Sequence, residues 1–354
     1  MKGIQIGKKK SRLPIIQGGM GVGVSLHQLA GAVASEGGIG IISTADIGFK
    51  EPDFPQCPQQ ADIRALKKEI SMARKISGDG ILGVNIMCAC THYDEIVKES
   101  VKNHIDLIIS GAGLPLKLPE LVNDDIAIAP IVSSARALKL ICRRWKKHYN
   151  RVPDLVIVEG PEAGGHLGFS FAELEEKNKT LDEILIEVIS LAKEIGLENS
   201  TEIPVIAAGG IYDKNDIDHF LSLGADGIQM ATRFVVTEEC DAAPAFKEAY
   251  VNAKESDIEI IQSPVGMPGR AIGNAFLKRV KTTKEAISHC TSCLKACHVK
   301  ETAYCITEAL IRSVKGDTEN GLIFCGSNVS RIHEVTTVRK LLHELFPDEI
   351  QQLA

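Results

Sequence analysis

Two glycine-containing segments of this chain could bind an anion through backbone N–H groups. Residues 207–211 read Ala-Ala-Gly-Gly-Ile, and Asp213 follows as a candidate helix cap. Residues 227–233 read Gly-Ile-Gln-Met-Ala-Thr-Arg at the end of the next apolar run. Turn amides and helix N-termini supply partial positive charge to a phosphate. A lone Gly-Gly pair can also be only a tight turn, but two such segments on successive runs favour a phosphate site. FMN, a nucleotide or a sugar phosphate would each suit it.

A histidine within a glycine-rich segment is the candidate acid or base. His166 lies in Glu-Gly-Pro-Glu-Ala-Gly-Gly-His-Leu-Gly, residues 159–168. Near neutral pH an imidazole can accept or return a proton. Glu159 and Glu162 flank it, and either could orient the imidazole or serve only as a helix cap or solvated carboxylate. We interpret five other histidines as structural: His27, His104, His148, His219 and His343.

Four cysteines near the C-terminal end have the spacing C-x2-C-x3-C-x7-C. They are Cys290, Cys293, Cys297 and Cys305. Four thiolates this close in sequence can enclose a [4Fe-4S] cluster or a zinc ion. The other reading is a set of free, partly buried thiols, because Cys293 and Cys297 are four residues apart on a possible helix face.

Apolar β-branched runs alternate with amphipathic stretches through the first two thirds of the chain, as in a parallel sheet covered by helices. The predicted strands are residues 13–16, 39–42, 81–86, 105–109, 126–131, 155–158, 204–207 and 227–230. The predicted helices are residues 26–35, 61–76, 93–103, 135–147, 181–195 and 213–223. Eight strands in this order favour an α/β fold, a closed (β/α)8 TIM barrel, over an open sheet.

The alternation stops after about residue 232. We therefore predict a barrel over residues 1–235 and a mostly helical C-terminal appendage over 236–354, which carries the cysteines and packs on the barrel. The appendage should contain a helix near 243–253 and a Gly- and Pro-rich loop over 263–270 that could act as a lid. The long loops 49–60 and 161–180 follow strands, so they should lie at the catalytic face of the barrel.

The composition excludes several classes of protein. The net charge is -6 in 354 residues, which argues against a nucleic-acid surface. No secretory leader or apolar stretch long enough to span a membrane is visible, so we expect a cytoplasmic protein. In a reducing compartment the ten cysteines should be thiols or metal ligands.

Three further segments narrow the class of enzyme that the predicted barrel could be. They are residues 14–21 (Pro-Ile-Ile-Gln-Gly-Gly-Met-Gly), residues 83–87 (Gly-Val-Asn-Ile-Met) and the 159–168 segment around His166. Together with the two glycine-containing segments, they resemble the nitronate monooxygenase family, formerly called 2-nitropropane dioxygenases. They also resemble the related FMN-dependent enoyl-acyl-carrier-protein reductases. The resemblance runs in order from about residue 12 to residue 280.

The resemblance implies a set of cofactor contacts. The backbone of Gly19, Met20 and Gly21 would meet the isoalloxazine of FMN, Asn85 would bond near it, and Gly164 and Gly165 would pass close to it. The ribityl phosphate would be held by Ala208, Gly209, Gly210, Gln229, Met230 and Thr232. Ala231 departs from the family, where glycine is common, so the amide there is expected to lie slightly further from the phosphate.

The resemblance also implies the reaction. In a nitronate monooxygenase, His166 would take the proton next to the nitro group or orient the nitronate before its oxidation. In an enoyl reductase, it would help to seat NAD(P)H and the thioester. The cysteine cluster is absent from the ordinary nitronate monooxygenase pattern, and its spacing resembles the cluster loop of barrels related to 2,4-dienoyl-CoA reductase, although the last gap there is longer. This departure puts simple oxygenase chemistry in doubt.

Two other interpretations stay open at this point. A barrel of the inosine-monophosphate dehydrogenase type shares the glycine phosphate loop, but it needs a nucleophilic cysteine where this chain has Glu-Ala-Gly-Gly-His. A flavin-carrying protein without turnover is the second, and His166 argues against it. We expect a small-molecule substrate and a possible homo-oligomer.

Overall fold

The computed structural model describes residues 1–176 and 179–351 and confirms the closed parallel barrel. An antiparallel pair, β1 (Gln5–Ile6) and β2 (Lys9–Lys10), precedes it. The barrel strands are β3 (Ile15–Gln17), β4 (Ile39–Ser43), β5 (Ile81–Met87), β6 (Leu107–Gly111), β7 (Ala127–Val132), β8 (Val156–Glu159), β10 (Val205–Ala208) and β11 (Gly227–Met230). All eight predicted strands are present, and β11 pairs with β3 to close the barrel.

Helices cover the outside of the barrel and form much of the appendage. They are α1 (His27–Ser35), α2 (Pro58–Ser77), α3 (Tyr93–Lys102), α4 (Ala135–Tyr149), α5 (Phe171–Glu175), α6 (Leu181–Asn199), α7 (Lys214–Ser222), α8 (Thr232–Val235), α9 (Pro244–Val251), α10 (Ala275–Val280), α11 (Ile306–Val314), α12 (Val338–Leu345) and α13 (Pro347–Gln351). Short 3-10 helices span Leu118–Glu120, Glu255–Asp257 and Ser327–Arg331. The connection between β6 and β7 contains only the first of these, so the alternation of strand and α-helix is interrupted there.

Side-chain caps explain where several of these helices begin. The carboxylate of Asp213 accepts hydrogen bonds from the N–H groups of Asn215 and Asp216 at the start of α7, which confirms its predicted capping role. The hydroxyl of Thr180 accepts from the N–H of Glu183 at the start of α6 in the same way. Each cap satisfies N–H groups that have no partner inside the helix.

Alternate residues of the strands fill the barrel interior. This cluster is almost entirely Ile, Leu and Ala, for example Ile41, Ile109 and Ile157, all with no exposed surface. Ile4 and Ile6 join the same cluster from the N-terminal pair of strands. The interior is therefore a packed core, and any ligand must lie beyond the strand ends.

The appendage reaches back to the barrel through a small sheet. Strands β12 (Ile258–Gln262) and β13 (Pro268–Ile272) form a hairpin, and β13 pairs with β9 (Gly165–His166) from the loop after β8. The prediction of a loop over 263–270 is therefore wrong for residues 268–270, which are paired strand. The Gly and Pro residues signalled only the turn, where Gly266 has a φ of +89°.

The division at residues 235/236 stays a prediction. Among the described residues, no helix is both long and apolar enough to cross a membrane.

Candidate functional site

The thirteen residues predicted for catalysis and cofactor binding line one cavity at the C-terminal ends of the strands. They are Gly19, Met20, Gly21, Asn85, Gly164, Gly165, His166, Ala208, Gly209, Gly210, Gln229, Met230 and Thr232. They come from the ends of five different strands and from the segments that follow those strands, so only closure of the barrel brings them together. This is the face on which barrel enzymes place their active sites.

The floor of the cavity is polar, although the interior below it is apolar. Ser43, Asn85, Glu159 and Gln229 line it at the strand ends. The side-chain oxygen Oε1 of Gln229 is buried and has no hydrogen-bond partner among the described residues. A buried polar atom of this kind is costly unless a ligand or water pairs with it. The floor is therefore built to receive a ligand that carries hydrogen-bonding atoms.

Glu159 is the titratable group of this floor. Burial raises the pKa of its carboxyl to about 8, against the opposing effect of the Arg270 positive charge. The side chain is therefore mostly a neutral carboxylic acid at pH 7, and it can donate a hydrogen bond into the cavity.

The raised pKa predicts a pH-dependent loss of stability. The folded-state pKa of Glu159 lies above its ordinary value, so its favourable contribution is complete below about pH 4.5 and is lost as the pH rises to about 8. The variant Glu159→Gln should remove this loss. Between pH 5 and pH 8.5, the free energy of unfolding of flavin-free protein should fall by on the order of 3 kcal/mol more in the parent than in the variant.

Thermal or urea unfolding at several pH values measures this difference. Glu202→Gln, at an exposed position, is the matched control and should leave the pH dependence as in the parent. Parallel pH curves for the parent and Glu159→Gln would contradict the assignment.

The predicted anion-binding turn has the required backbone conformation. Gly209 and Gly210 both have positive φ, +94° and +80°. A Cβ atom on Gly209 would lie 3.0 Å from the backbone N of Ala163, in the loop that carries His166. Positive φ and this close approach explain why glycine is needed at position 209.

The appendage completes this end of the cavity, which the sequence did not indicate. The hydroxyl Oγ1 of Thr232 accepts a hydrogen bond from the N–H of Gly326 at 3.1 Å. The amide Nδ2 of Asn328 donates to the carbonyl of Gly210 at 2.7 Å. Both predicted phosphate loops are thus held by one segment that is 94 and 118 residues away in sequence, which local patterns cannot reveal.

His166 is held at the other side of the cavity by β9. Its ring nitrogen Nε2 lies 2.7 Å from the hydroxyl of Ser263, and its ring packs edge-on against Phe324 with the centroids 4.9 Å apart. Burial lowers the pKa of the imidazole to about 4, so the ring is neutral at pH 7.

Neither glutamate orients the imidazole, contrary to one of the sequence-based alternatives. Glu162 places its carboxylate 3.3 Å from the hydroxyl of Ser327, and Glu159 lies on the cavity floor. The partner of His166 is Ser263, which comes from the hairpin of the appendage. His166 and Ser263 are 97 residues apart, so no local sequence pattern could have indicated this contact.

Much of the remaining cavity wall is apolar and was also missed. Val22 and Val24 come from the loop after β3, and Phe246, Tyr250 and Leu310 come from helices of the appendage. Burial and a hydrogen bond to the Phe324 carbonyl hold Tyr250 in place. The wall can therefore accept an apolar part of a substrate.

The structure does not support the predicted metal site. Across residues 1–176 and 179–351, no group of three or more His, Cys, Asp or Glu side chains is arranged to hold a metal ion. Cys290 is exposed, whereas Cys293, Cys297 and Cys305 are half-buried thiols. Burial raises the pKa of Cys293 to about 12, which opposes the thiolate that a metal needs. The segment is instead held by backbone bonds to the loop after β5, such as that from the N–H of Thr91 to the carbonyl of Cys293 at 3.0 Å.

A closed parallel barrel with a glycine turn, a polar floor and a neutral histidine at its strand ends has the arrangement of a barrel enzyme whose active site lies at that face. Comparison with known proteins is more specific. The chain belongs to the nitronate monooxygenase family, whose profile matches residues 3–348. It is accordingly an FMN-dependent oxidoreductase.

Curated relatives carry the same name. A probable nitronate monooxygenase of Staphylococcus aureus (strain Newman) is 27% identical over 75% of this chain and 77% of its own length. A probable nitronate monooxygenase of Staphylococcus saprophyticus is 26% identical over 78% of this chain and 80% of its own length.

Solved structures share the whole fold. FabK from Thermotoga maritima is 27% identical, with a TM-score of 0.73, and the match covers 97% of this chain and 94% of that one. Nitroalkane oxidase from Streptomyces ansochromogenes is 20% identical, also with a TM-score of 0.73, over 97% of this chain and 98% of that one.

Proposed function

We propose that this protein oxidises alkyl nitronates with FMN held in the cavity. The observation that carries the proposal is the placement of a neutral His166 beside a cavity with a polar floor and an apolar wall. The family name and the curated relatives support the same reaction.

The cavity residues fit FMN. The buried, unpartnered Oε1 of Gln229 needs a hydrogen-bond donor, which a ribityl hydroxyl of FMN can provide. A side chain at Gly19 would collide with Asn85, and one at Gly209 would crowd Ala163. Glycine at both positions therefore lets the backbone come close to the places where a ring and a phosphate would lie. Gly19, Met20, Gly21, Asn85, Gly164 and Gly165 would then border the ring, and Ala208, Gly209, Gly210, Gln229, Met230 and Thr232 would hold the ribityl phosphate.

His166 would bind the head group of the substrate. A neutral imidazole carries one N–H donor and one lone pair, so it can donate a hydrogen bond to a nitronate oxygen. Its pKa of about 4 makes it a weak base, which favours a substrate that arrives already deprotonated. Bound FMN supplies the electron acceptor for this substrate and the route to oxygen.

The apolar wall would bind the alkyl chain. Four residues of this wall have side chains without hydrogen-bonding groups: Val22, Val24, Phe246 and Leu310. Each methylene that they bury would contribute about 0.8 kcal/mol, so longer nitronates should be better substrates until the wall is filled.

The substrate test is direct. FMN-loaded protein should consume oxygen with alkyl nitronates, and kcat/KM should rise about 15-fold from ethyl nitronate to butyl nitronate, because the wall would bury two more methylenes. Oxygen uptake and anaerobic bleaching of the flavin by nitronate measure the reaction. FMN-loaded protein that neither takes up oxygen nor bleaches would contradict the proposal.

Reduction of enoyl thioesters by NAD(P)H is the second candidate. The identity to FabK, 27%, exceeds the 20% identity to the nitroalkane oxidase at the same TM-score. Oxidation of NADH that depends on a crotonyl thioester, without nitronate turnover, would favour this candidate.

A further inference from the structure

Ser263 occupies an unexpected position for a residue of a surface hairpin. It directly follows strand β12, is 2% exposed, and its hydroxyl lies 2.7 Å from Nε2 of His166. Its backbone is also fixed, because the N–H of Ser263 donates to the carbonyl of Met267 across the hairpin turn. The hydroxyl is therefore held at a defined point beside the imidazole.

The two strands beneath this contact fix the histidine as well. His166 pairs with Gly269 of β13, and Gly165 pairs with Arg270. Phe324 packs against the imidazole ring. Because backbone and ring are both held, the remaining freedom of His166 is the choice of which ring nitrogen carries the proton.

The hydrogen bonds of the serine decide that choice. The N–H of Val265 donates to the Ser263 hydroxyl oxygen at 3.3 Å, so this oxygen already has one donor. Among the described residues, Nε2 of His166 is the hydrogen-bond acceptor within reach of the hydroxyl proton. A buried hydroxyl proton without an acceptor is costly, so the serine should donate to Nε2.

We propose that Ser263 is a positioning residue that holds His166 as the neutral tautomer protonated on Nδ1. Nε2 then accepts the serine hydrogen bond, and the Nδ1–H group is left to donate to a substrate oxygen. This inference rests on the proposed function only for the use of that N–H group, because the tautomer is a property of the protein itself. It applies equally to a nitronate oxygen and to a thioester carbonyl.

The tautomer can be measured without turnover. In protein labelled with 15N-histidine, the two ring nitrogens of a neutral imidazole report which of them is protonated. The signals of His166 are those that disappear in His166→Asn. The full-length FMN-loaded protein should show the Nδ1–H form, and Ser263→Ala should shift the population toward the Nε2–H form.

Kinetics provide the second readout. Ser263→Ala should lower kcat about 10-fold and change KM by less than about 3-fold, because the contact acts on the reacting group more than on substrate binding. Ser263→Thr keeps the hydroxyl and should restore both the tautomer and most of kcat. Ser256→Ala, the same substitution at an exposed position before β12, is the matched control and should behave as the parent.

Two outcomes overturn the proposal. One is an Nε2–H tautomer in the parent protein, and the other is a Ser263→Ala variant with unchanged tautomer and unchanged kcat. If a variant does not fold, the parent spectrum still decides. Absence of FMN binding or of turnover would instead count against the proposed function. The tautomer measured by NMR would remain valid, because it does not depend on that function.

Discussion

His166→Asn should lower kcat about 10²- to 10³-fold while the protein still binds FMN, because it removes the proposed hydrogen-bond donor to the substrate oxygen. Among the described residues, His166 is the histidine that both lines the cavity and contacts Ser263. The substitution removes its imidazole ring. Steady-state oxygen consumption with a saturating alkyl nitronate gives kcat, and the visible spectrum gives the FMN content of the same sample.

His219→Asn is the matched control. His219 lies on α7 with Nε2 2.7 Å from the carboxylate of Asp182, and it is half exposed. Its replacement should leave kcat within about 2-fold of the parent, as expected for a surface hydrogen bond outside the cavity. If His166→Asn retained most of the parent kcat, the role given to the imidazole would be wrong.

Gly209→Ala should weaken FMN binding about 10- to 100-fold. Alanine at a φ of +94° is strained, and its Cβ would lie 3.0 Å from the backbone N of Ala163, so the turn must move. A cost of about 1–3 kcal/mol in the bound geometry corresponds to that range of dissociation constants. Quenching of flavin fluorescence on titration with the FMN-free variant measures it.

Gly224→Ala is the control that distinguishes the effect of backbone strain from the effect of damage to the FMN site. Gly224 also has a positive φ, +103°, but it follows α7 outside the cavity, and its nearest neighbour for a Cβ is 3.7 Å away. This variant should lose stability and keep the parent affinity for FMN. Equal affinities for the Gly209→Ala and parent proteins would place the phosphate elsewhere.

The barrel could be predicted from the sequence because its strands are short, buried on both faces and rich in β-branched residues. Residues 81–86 were predicted as a strand, and the structure has Ile81–Met87. The glycine turn and the loop of His166 could be predicted to lie at one face of the barrel, because the ends of successive parallel strands must meet there. Closure then brought all thirteen predicted residues to one cavity.

The parts that could not be predicted depend on contacts between distant segments. The pairing of β13 with β9 brings Ser263 to His166, and the segment from Gly326 to Asn328 contacts the two loops predicted to bind phosphate. Hydrogen bonds of this kind leave no periodic pattern in the sequence. The cysteine spacing had the opposite effect, because it suggested a metal site that the positions of the thiols do not support.

The visible spectrum of the purified protein tests the central claim most directly. After incubation with FMN and removal of the excess, the protein should retain about one flavin per chain and show its absorption bands. Gly209→Ala, treated identically, should retain less. A folded parent protein that stays colourless after this treatment would contradict the account.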